Sequence, residues 1–292
     1  MKNIKEDMKR LADEKGIFHI FAIDHREVFT DALDEKLGHK ANHVEVLAEK
    51  NRLMNSVSDM VSGFLIDPVY FVDEQKMKAD LKGKSFMMGI ENNNYDVTKI
   101  DDAYLYENIS VRQMKELGCA MVKLFVFYNP YMEFRKKIYS IVEYVAKECE
   151  TYEIPFLLEP IMYSDIPLST NERFSMMQET LEQLKEIPVD IYKLEFPGDV
   201  DLCSEEKNIE LCKKISDQLN VPWIVLSAGV NADIFEKQIE LAGRGGCSGY
   251  AVGRSVWKNY IACSTEKMNE MNDILSRFKK SAETYCMNFE KK

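Results

Sequence analysis

Two lysines and a glutamate stand inside the most apolar stretches of this sequence. Lys123 lies in MVKLFVFY, Glu159 ends FLLE, and Lys193 lies in DIYKLEFP. A charged side chain in a buried strand is costly unless it is paired, so a plain structural role is not the first expectation. A lysine attacks a carbonyl only as the free amine, and its pKa of about 10.4 falls with desolvation and a neighbouring cation. A pocket with two lysines therefore predicts Schiff-base chemistry.

Carboxylates close to these lysines could carry the protons. Glu159 is the first candidate to move a proton between a sugar hydroxyl and water, and Asp24, in AIDHRE, could share or orient that step. Glu195 is as compatible with an ion pair to Lys193, or with support at the rim, as with catalysis. The structural alternative for Lys123 and Glu159 is a buried ion-pair network without a catalytic role.

Two short turns containing glycine could bind a phosphate group. LSAG follows one apolar run and VGRS follows another. Backbone N–H groups approach phosphate oxygens where no large side chain intervenes, although each turn alone could be ordinary turn chemistry. Together with the residues after Asp24, the predicted substrate-binding set is His25, Arg26, Ser227, Ala228, Gly229, Gly253 and Arg254.

The positions of the histidines bear on metal use. All four lie within the first 43 residues, and the later apolar runs contain none. A catalytic zinc site would need histidines from several strands, so we predict that the protein uses no metal and no cofactor. Magnesium on Asp24, Glu159 and Glu195 is the other possibility, but it would leave the two lysines unexplained.

Eight short apolar runs must position these residues. Most are followed by a longer amphipathic stretch, which is the pattern of a (β/α)8 barrel of the α/β class. A doubly wound open sheet is the alternative, weakened because no GxGxxG follows the first run. A barrel places function at the carboxyl ends of its strands, where the polar residues fall. The predicted strands are Ile17–Ile23, Gly63–Ile66, Ser85–Ile90, Ala120–Phe127, Pro155–Glu159, Val189–Phe196, Pro222–Ser227 and Cys247–Val252.

The two-residue period of a strand predicts which way the charges point. Lys193 shares a face with Ile191, and Lys123 shares a face with Met121. If the aliphatic face packs on the outer helices, both lysines and Glu159 point into the mouth of the barrel.

Helical patterns separate several of the runs. Ser204 is a predicted N-cap because two glutamates follow it. The connection from Asp67 to Lys84 is too irregular to predict a full helix. We expect one barrel domain over residues 1–292, with a helical segment at its N-terminus and a helical extension at its C-terminus. The predicted helices are Val44–Met60, Phe134–Thr151, Ser204–Leu219, Asn231–Ala242 and a long one from Ser255.

Composition narrows the class of protein. The net charge is −11 and no block of lysine or arginine forms a basic stripe, which argues against nucleic acid as a partner. No stretch approaches the roughly 20 apolar residues of a membrane span. Seven cysteines without a CxxC pair indicate reduced thiols, so we expect a soluble, cytoplasmic protein. We also expect a homo-oligomer that acts on a small molecule.

Together the motifs resemble the class I tagatose-bisphosphate aldolase family, which includes the sulfofructose-phosphate aldolases. The likeness runs from about residue 16 to about residue 257, through IDHRE, VKLFVFY, LLEP, DIYKLEFP, VPWIVLSAGV and SGYAVGRSVW in the same order and with similar spacing. It implies a Schiff base on Lys193. The other residues that it implies are Asp24, Lys123 and Glu159 in supporting roles and Ser227 and Arg254 for phosphate binding.

Departures from the family pattern leave the substrate open. The family usually has Gln where this chain has His25, and Pro160-Ile161 resembles the sulfosugar branch, whereas FLLE and LSAG are nearer the tagatose branch. The resemblance implies cleavage of tagatose 1,6-bisphosphate or 6-deoxy-6-sulfofructose 1-phosphate to dihydroxyacetone phosphate and a three-carbon aldehyde. The alternatives are a metal-free sugar-phosphate isomerase or epimerase with Glu159 as base, and a non-catalytic sugar-phosphate sensor.

Overall fold

Eight parallel strands form a closed barrel in sequence order, with β1 hydrogen-bonded to both β2 and β8. The computed structural model describes residues 2–71, 81, 83–92, 100–102 and 104–292. The (β/α)8 prediction is confirmed. The strands are β1 (Phe18–Ala22), β2 (Gly63–Ile66), β3 (Ser85–Gly89), β4 (Met121–Tyr128), β5 (Phe156–Met162), β6 (Ile191–Leu194), β7 (Trp223–Leu226) and β8 (Gly249–Val252).

Each predicted strand overlaps an observed one, and most differences are at the ends. β2 has the predicted bounds, whereas β6 is half as long as predicted. β5 continues past Glu159 to Met162 because it pairs with β4 over seven residues, from Val122↔Phe156 to Tyr128↔Met162. Strand length here depends on the partner strand, which the local pattern does not contain.

Helices cover the outside of the barrel. Ser204 is the N-cap of α7, as predicted, and the long C-terminal pattern divides into α9 and α10. We did not predict α2, α4 or α6, although Ser169 and Glu172 form a capping box at the start of α6. Of the connection after Asp67, residues 72–80 and 82 lie outside the described residues. The helices are α1 (Lys2–Lys9), α2 (Glu27–Leu37), α3 (His43–Val57), α4 (Val111–Glu116), α5 (Arg135–Thr151), α6 (Thr170–Leu184), α7 (Glu205–Gln218), α8 (Ala232–Arg244), α9 (Arg254–Trp257), α10 (Thr265–Tyr285) and a 3₁₀ turn (Phe289–Lys291).

Side chains of the strands divide between two apolar layers. Met121 and Ile191 belong to a cluster inside the barrel, whereas Val122, Leu124 and Leu194 belong to the cluster that packs with the helices. Because alternate residues face the same way, the inner layer continues upward into the lysines of β4 and β6. The predicted inward direction of both lysines is confirmed. Within the described ranges, no helix is long and apolar enough to cross a membrane.

The bottom of the barrel is closed by the two ends of the described chain. The ring of Phe289 lies 5.1 Å from that of Phe18, centre to centre, and both belong to the inner cluster together with Met8 and Leu11. The backbone N–H of Phe289 donates to the carbonyl of Gly16 at 3.0 Å. The C-terminal turn therefore completes the core at the end of the barrel opposite the strand carboxyl ends.

Replacing Phe289 by alanine should lower the free energy of unfolding by about 3 kcal/mol, because it opens a cavity under the inner cluster. Urea unfolding measures this change. As a control, Tyr144→Ala on the exposed face of α5 should change stability by less than about 0.5 kcal/mol. Equal stabilities for the two variants would show that the C-terminal turn does not close the core.

Candidate functional site

A cavity of about 300 Å³ opens at the carboxyl ends of the strands. Its walls come from the ends of β1 and of β4 to β8, and from the turns that follow them. Most of the predicted site residues lie in or directly beneath it. The lining residues are Ala22, His25, Phe127, Glu159, Ile161, Lys193, Glu195, Leu226, Ser227, Ala228, Gly229, Ala251, Gly253 and Arg254.

One carboxylate contacts both inward lysines. Glu159 Oε1 accepts from Lys193 Nζ at 2.7 Å, and Glu159 Oε2 lies 3.1 Å from Lys123 Nζ. All three side chains are buried, with 5% or less of each residue exposed. Lys193 and Glu159 line the cavity, while Lys123 lies beneath it. The two ammonium groups are thus held in one small, largely dehydrated space.

Strand register explains this meeting. Leu157 on β5 is level with Ile191 on β6. Glu159 and Lys193 lie two residues further along their strands, so they are neighbours on the inner face. Lys123 is in register with Leu157 from the other side. Parallel register therefore places Glu159 and Lys193 one layer above Leu157 and Ile191, whereas Lys123 starts at the level of Leu157.

Among the residues that the structure describes, Lys123 has two further acidic partners. Its Nζ donates to Asp24 Oδ2 at 3.1 Å and to Glu91 Oε1 at 2.6 Å. The Glu91 carboxylate also accepts from the Phe125 N–H at 3.1 Å. Burial raises the pKa of Glu91, and the charge on Lys123 opposes that shift. Burial also disfavours ionised Asp24, but the charges of Lys123, His25 and Lys193 together with the hydrogen bond from Lys123 outweigh it and lower the pKa of Asp24.

Glu91 is a member of this cluster that our sequence analysis missed. It follows β3 in MMGIEN, and it is as buried as the predicted residues. The rule that selected Asp24 and Glu159 was an acidic residue at the end of an apolar run. The same rule, applied to the third run, would have found Glu91.

His25 packs against Trp257, the last residue of the short helix α9 that follows β8. Its ring is 5.3 Å from that of Trp257, centre to centre, and its Nδ1 lies 3.5 Å from Asp24 Oδ1. A Cβ on Gly253 would lie 2.9 Å from His25 Cε1 and 2.8 Å from the carbonyl oxygen of Ala22, so only glycine fits there. We predicted a close backbone approach at Gly253, and in the structure Gly253 lies closely against the end of β1 and the turn that follows it.

Arg26 points away from the cavity, unlike the other predicted binding residues. Its guanidinium donates to the carbonyl of Glu91 at 2.5 Å and to Asn92 Oδ1 at 3.2 Å, and it lies 4.6 Å from the ring centre of Tyr106. In this structure Arg26 joins the turn after β1 to the segment after β3. It does not line the cavity with His25.

The predicted phosphate-binding turns are adjacent to each other at the cavity wall. Ser227 to Val230 form a tight turn, in which the Val230 N–H donates to the Ser227 carbonyl at 3.0 Å. Ala228 and Gly229 have φ values of +49° and +81°, a left-handed conformation that favours glycine at the second position. A Cβ on Gly229 would come within 4.0 Å of only Arg254 Nε, so the turn presents open backbone beside an arginine.

Glu195 pairs with a helix and not with Lys193. Its Oε1 accepts from Arg173 of α6 at 3.2 Å, and its Oε2 accepts from the Met162 N–H at 3.1 Å. Burial raises the pKa of Glu195, although Arg173 opposes the shift. The sequence left three roles open for Glu195: an ion pair with Lys193, support at the rim of the site, or catalysis. These contacts favour support at the rim.

The three carboxylates of the magnesium alternative are engaged by cations. Asp24 and Glu159 contact Lys123, and Glu195 contacts Arg173. Among the residues that the structure describes, one group of three potential metal ligands lies close together, at the opposite end of the barrel: Asp13, His19 and Glu283. The geometry at the cavity therefore favours ion pairing by the carboxylates over a shared metal.

Comparison with known proteins identifies a consistent set of relatives. Residues 18–259 match the family described as DeoC/LacD family aldolase. The tagatose 1,6-diphosphate aldolase of Listeria monocytogenes serotype 4a (strain HCC23) is 29% identical over 284 residues, covering 88% of this chain and 82% of that protein. Tagatose 1,6-diphosphate aldolase 1 of Enterococcus faecalis (strain ATCC 700802 / V583) is 27% identical, with coverages of 89% and 87%.

Solved structures of aldolases share the fold. Fructose-bisphosphate aldolase from Plasmodium falciparum superposes with a TM-score of 0.73 at 10% identity, covering 98% of this chain and 95% of that one. A Schiff-base-forming fructose-1,6-bisphosphate aldolase gives 0.64 at 18% identity, with coverages of 97% and 99%. At these identities, the likeness is one of architecture.

The environment of His25 predicts a pH-dependent stability. Burial lowers its pKa to about 3, helped by the charges of Arg254, Lys193 and Lys50 and opposed by Asp24. The unfolded chain takes up a proton at His25 below a pH of about 6.5, whereas the folded protein does not. This residue therefore makes the free energy of unfolding fall as pH falls from about 6.5 toward 3, by up to about 1.4 kcal/mol per pH unit.

The variant His25→Gln should lose that component. Urea unfolding of the wild type and the variant at about pH 7, 6 and 5 should show the wild type losing stability relative to the variant as pH falls. His39→Gln, at an exposed residue, is the matched control. Stability curves for wild type and His25→Gln that stay parallel over this range would contradict a neutral, buried His25.

Proposed function

Since this chain belongs to the DeoC/LacD family of aldolases, we propose that it cleaves a phosphorylated ketose through a Schiff base on Lys193. One observation carries the proposal: the carboxylate of Glu159 lies between Lys193 and Lys123 at the wall of the cavity. Imine chemistry needs an amine, a group that accepts and returns protons, and a fixed positive charge. These three side chains supply all of them.

Lys193 is the nucleophile in this proposal because it lines the cavity, whereas Lys123 lies beneath it. Proton transfer across the 2.7 Å contact to Glu159 would release the free amine. The Nζ attacks the ketone carbon at C2, a new C–N bond forms, and the carbonyl oxygen leaves as water after two protonations. The result is a protonated imine between Lys193 and the substrate.

Carbon–carbon cleavage follows from the electron demand of that imine. Glu159 removes the proton from the C4 hydroxyl, the C3–C4 bond breaks, and its electron pair moves to C3 and the imine as an enamine. The C4 carbon leaves as an aldehyde. Protonation of the enamine and attack of water then release dihydroxyacetone phosphate and restore the Lys193 amine.

Lys123 and Asp24 support this cycle without entering the cavity. The Lys123 ammonium contacts Glu159, Asp24 and Glu91. Such a cation keeps the Glu159 carboxylate oriented toward Lys193, and it stabilises negative charge that develops near the breaking bond. Asp24 in turn fixes Lys123 from the opposite side.

The turns after β7 and β8 are the proposed phosphate site. Ser227, the left-handed turn at Ala228 and Gly229, and the Arg254 side chain form one wall of the cavity. Backbone N–H groups and a guanidinium suit a phosphate dianion. Gly253 contributes by letting β8 approach β1, and we keep His25 as a contact at the same wall.

The relatives favour tagatose 1,6-bisphosphate as the first substrate to test, and His25 with Pro160-Ile161 keeps the sulfofructose phosphate as the second. We further propose a cytoplasmic homo-oligomer that acts on this small molecule and on neither nucleic acid nor membranes. Scattered reduced thiols support that location, since all seven cysteines lie in described residues and are free.

Borohydride reduction in the presence of dihydroxyacetone phosphate should attach the three-carbon unit to Lys193, visible as one modified peptide by mass spectrometry. Lys193→Met should abolish both the adduct and turnover while leaving the fold intact. Lys123, which is buried beneath the cavity, should stay unmodified and serves as the internal control. Turnover without an adduct would favour an isomerase or epimerase with Glu159 as base, and binding without turnover would favour a sensor.

A comparison of kcat/KM for tagatose 1,6-bisphosphate, fructose 1,6-bisphosphate and sulfofructose 1-phosphate tests the substrate. We expect this protein to cleave tagatose 1,6-bisphosphate, the substrate in the names of its relatives. A preference of about 100-fold or more for the sulfonate, or about 3 kcal/mol of transition-state binding, would reassign the substrate and leave the Schiff-base step unaffected.

A further inference from the structure

A lysine that no step of the proposed reaction uses is completely buried behind the cavity. Lys50 lies on α3, and its Nζ donates to the carbonyl oxygens of Ile23 at 2.7 Å and of His25 at 2.8 Å. It also donates to Asp67 Oδ2 at 3.1 Å, and the ring centre of Tyr70 lies 4.6 Å away. Among the described residues, three acceptors and two aromatic rings, Tyr70 and Phe29, thus surround a single ammonium group.

A contribution to folding stability does not by itself account for this buried ion pair. A buried ion pair loses the hydration of both charges, and an apolar pair of similar volume often stabilises a protein as well or better. Burial lowers the pKa of Lys50 and raises that of Asp67, which shows the same cost, while their mutual attraction opposes both shifts. Asp67 is itself held, because its Oδ1 accepts from the Val69 N–H at 2.8 Å.

The two carbonyls that Lys50 binds belong to the residues on either side of Asp24. The side chain of Asp24 points the other way and contacts Lys123 at 3.1 Å. Lys50 therefore fixes the backbone at both flanks of the carboxylate that orients Lys123. The tie also spans elements, since it joins α3 to the ends of β1 and, through Asp67, of β2.

We propose that Lys50 is a positioning residue of this aldolase, which holds the Asp24 carboxylate against Lys123 by binding the carbonyls of Ile23 and His25. The inference rests on the proposed function, because it assigns Lys50 a part in the same lysine–carboxylate cluster. Lys50 acts through Asp24 and does not touch the substrate. Its loss should therefore lower kcat by more than it raises KM, since the phosphate-binding turns follow other strands and only His25 lies both at that wall and on the backbone that Lys50 holds.

The test compares three variants with the wild type in the cleavage of tagatose 1,6-bisphosphate. Lys50→Met removes the ammonium but leaves the Asp67 charge buried alone, so this variant can fail to fold. Lys50→Met with Asp67→Asn removes both charges and should fold. Asp67→Asn alone is the matched control: it leaves Lys50 without its counter-ion, but Nζ can still donate to both carbonyls, as an ammonium or as a neutral amine. Circular dichroism and urea unfolding establish the folded fraction of each.

The paired variant Lys50→Met/Asp67→Asn should lose about 10²-fold in kcat, a loss that a displacement of about 1 Å can cause, with a much smaller rise in KM. Asp67→Asn should stay within about threefold of wild-type kcat. A kcat of the paired variant that equals the wild-type value would overturn the proposal. It would leave Lys50 with a role in folding only.

An Asp24→Asn background separates positioning from general damage. If Lys50 acts through Asp24, adding the paired substitutions to Asp24→Asn should cost less than about twofold more in kcat, because the interaction is already lost. A further loss of about 10²-fold in that background would contradict the proposed route. Failure of the proposed function itself has a different result: the wild type would show no cleavage and no borohydride adduct.

Discussion

The carboxylate of Glu159, held between two lysine ammonium groups, is the interaction on which the rest of the site depends. It contacts Lys193 at 2.7 Å and Lys123 at 3.1 Å in a largely buried space beside the cavity. In such a space two like charges repel strongly, so a shared counter-ion is what allows both lysines to be buried together. The same contact provides a path by which a proton can leave Lys193, which joins the stability of the site to its chemistry.

The barrel supplies this arrangement through register. Leu157 is level with both Lys123 and Ile191, so Glu159 and Lys193 come to lie side by side one layer above the apolar core. The core below is closed by the terminal segments, and the cavity opens above. Apolar packing at one end of each strand thus sets the height of the charges at the other end, because the side-chain period of a strand is fixed.

Four contacts hold the turn after β1, and each of its residues contacts a different part of the protein. Asp24 contacts Lys123, His25 packs on Trp257, Arg26 binds the carbonyl of Glu91, and Lys50 binds the backbone from behind. A histidine is tolerated in this turn because burial keeps it uncharged beside the cations. The departure from the family's usual glutamine therefore preserves a neutral polar side chain at this wall of the cavity.

The sequence alone predicts the fold and most of the residues that the structure brings together at the cavity. Eight apolar runs followed by polar ends predict a barrel, and a strand's period predicts that Lys123 and Lys193 face inward. The ion pairs between these side chains are visible only in the tertiary structure. Glu159 and Lys193 are 34 residues apart, Asp24 and Lys123 are 99 apart, and their meeting depends on barrel closure. Barrel closure also explains why Arg26 points away from the cavity, why Glu195 pairs with Arg173 and why Lys50 is buried. Their partners come from other helices and strands, which a local sequence pattern does not reveal.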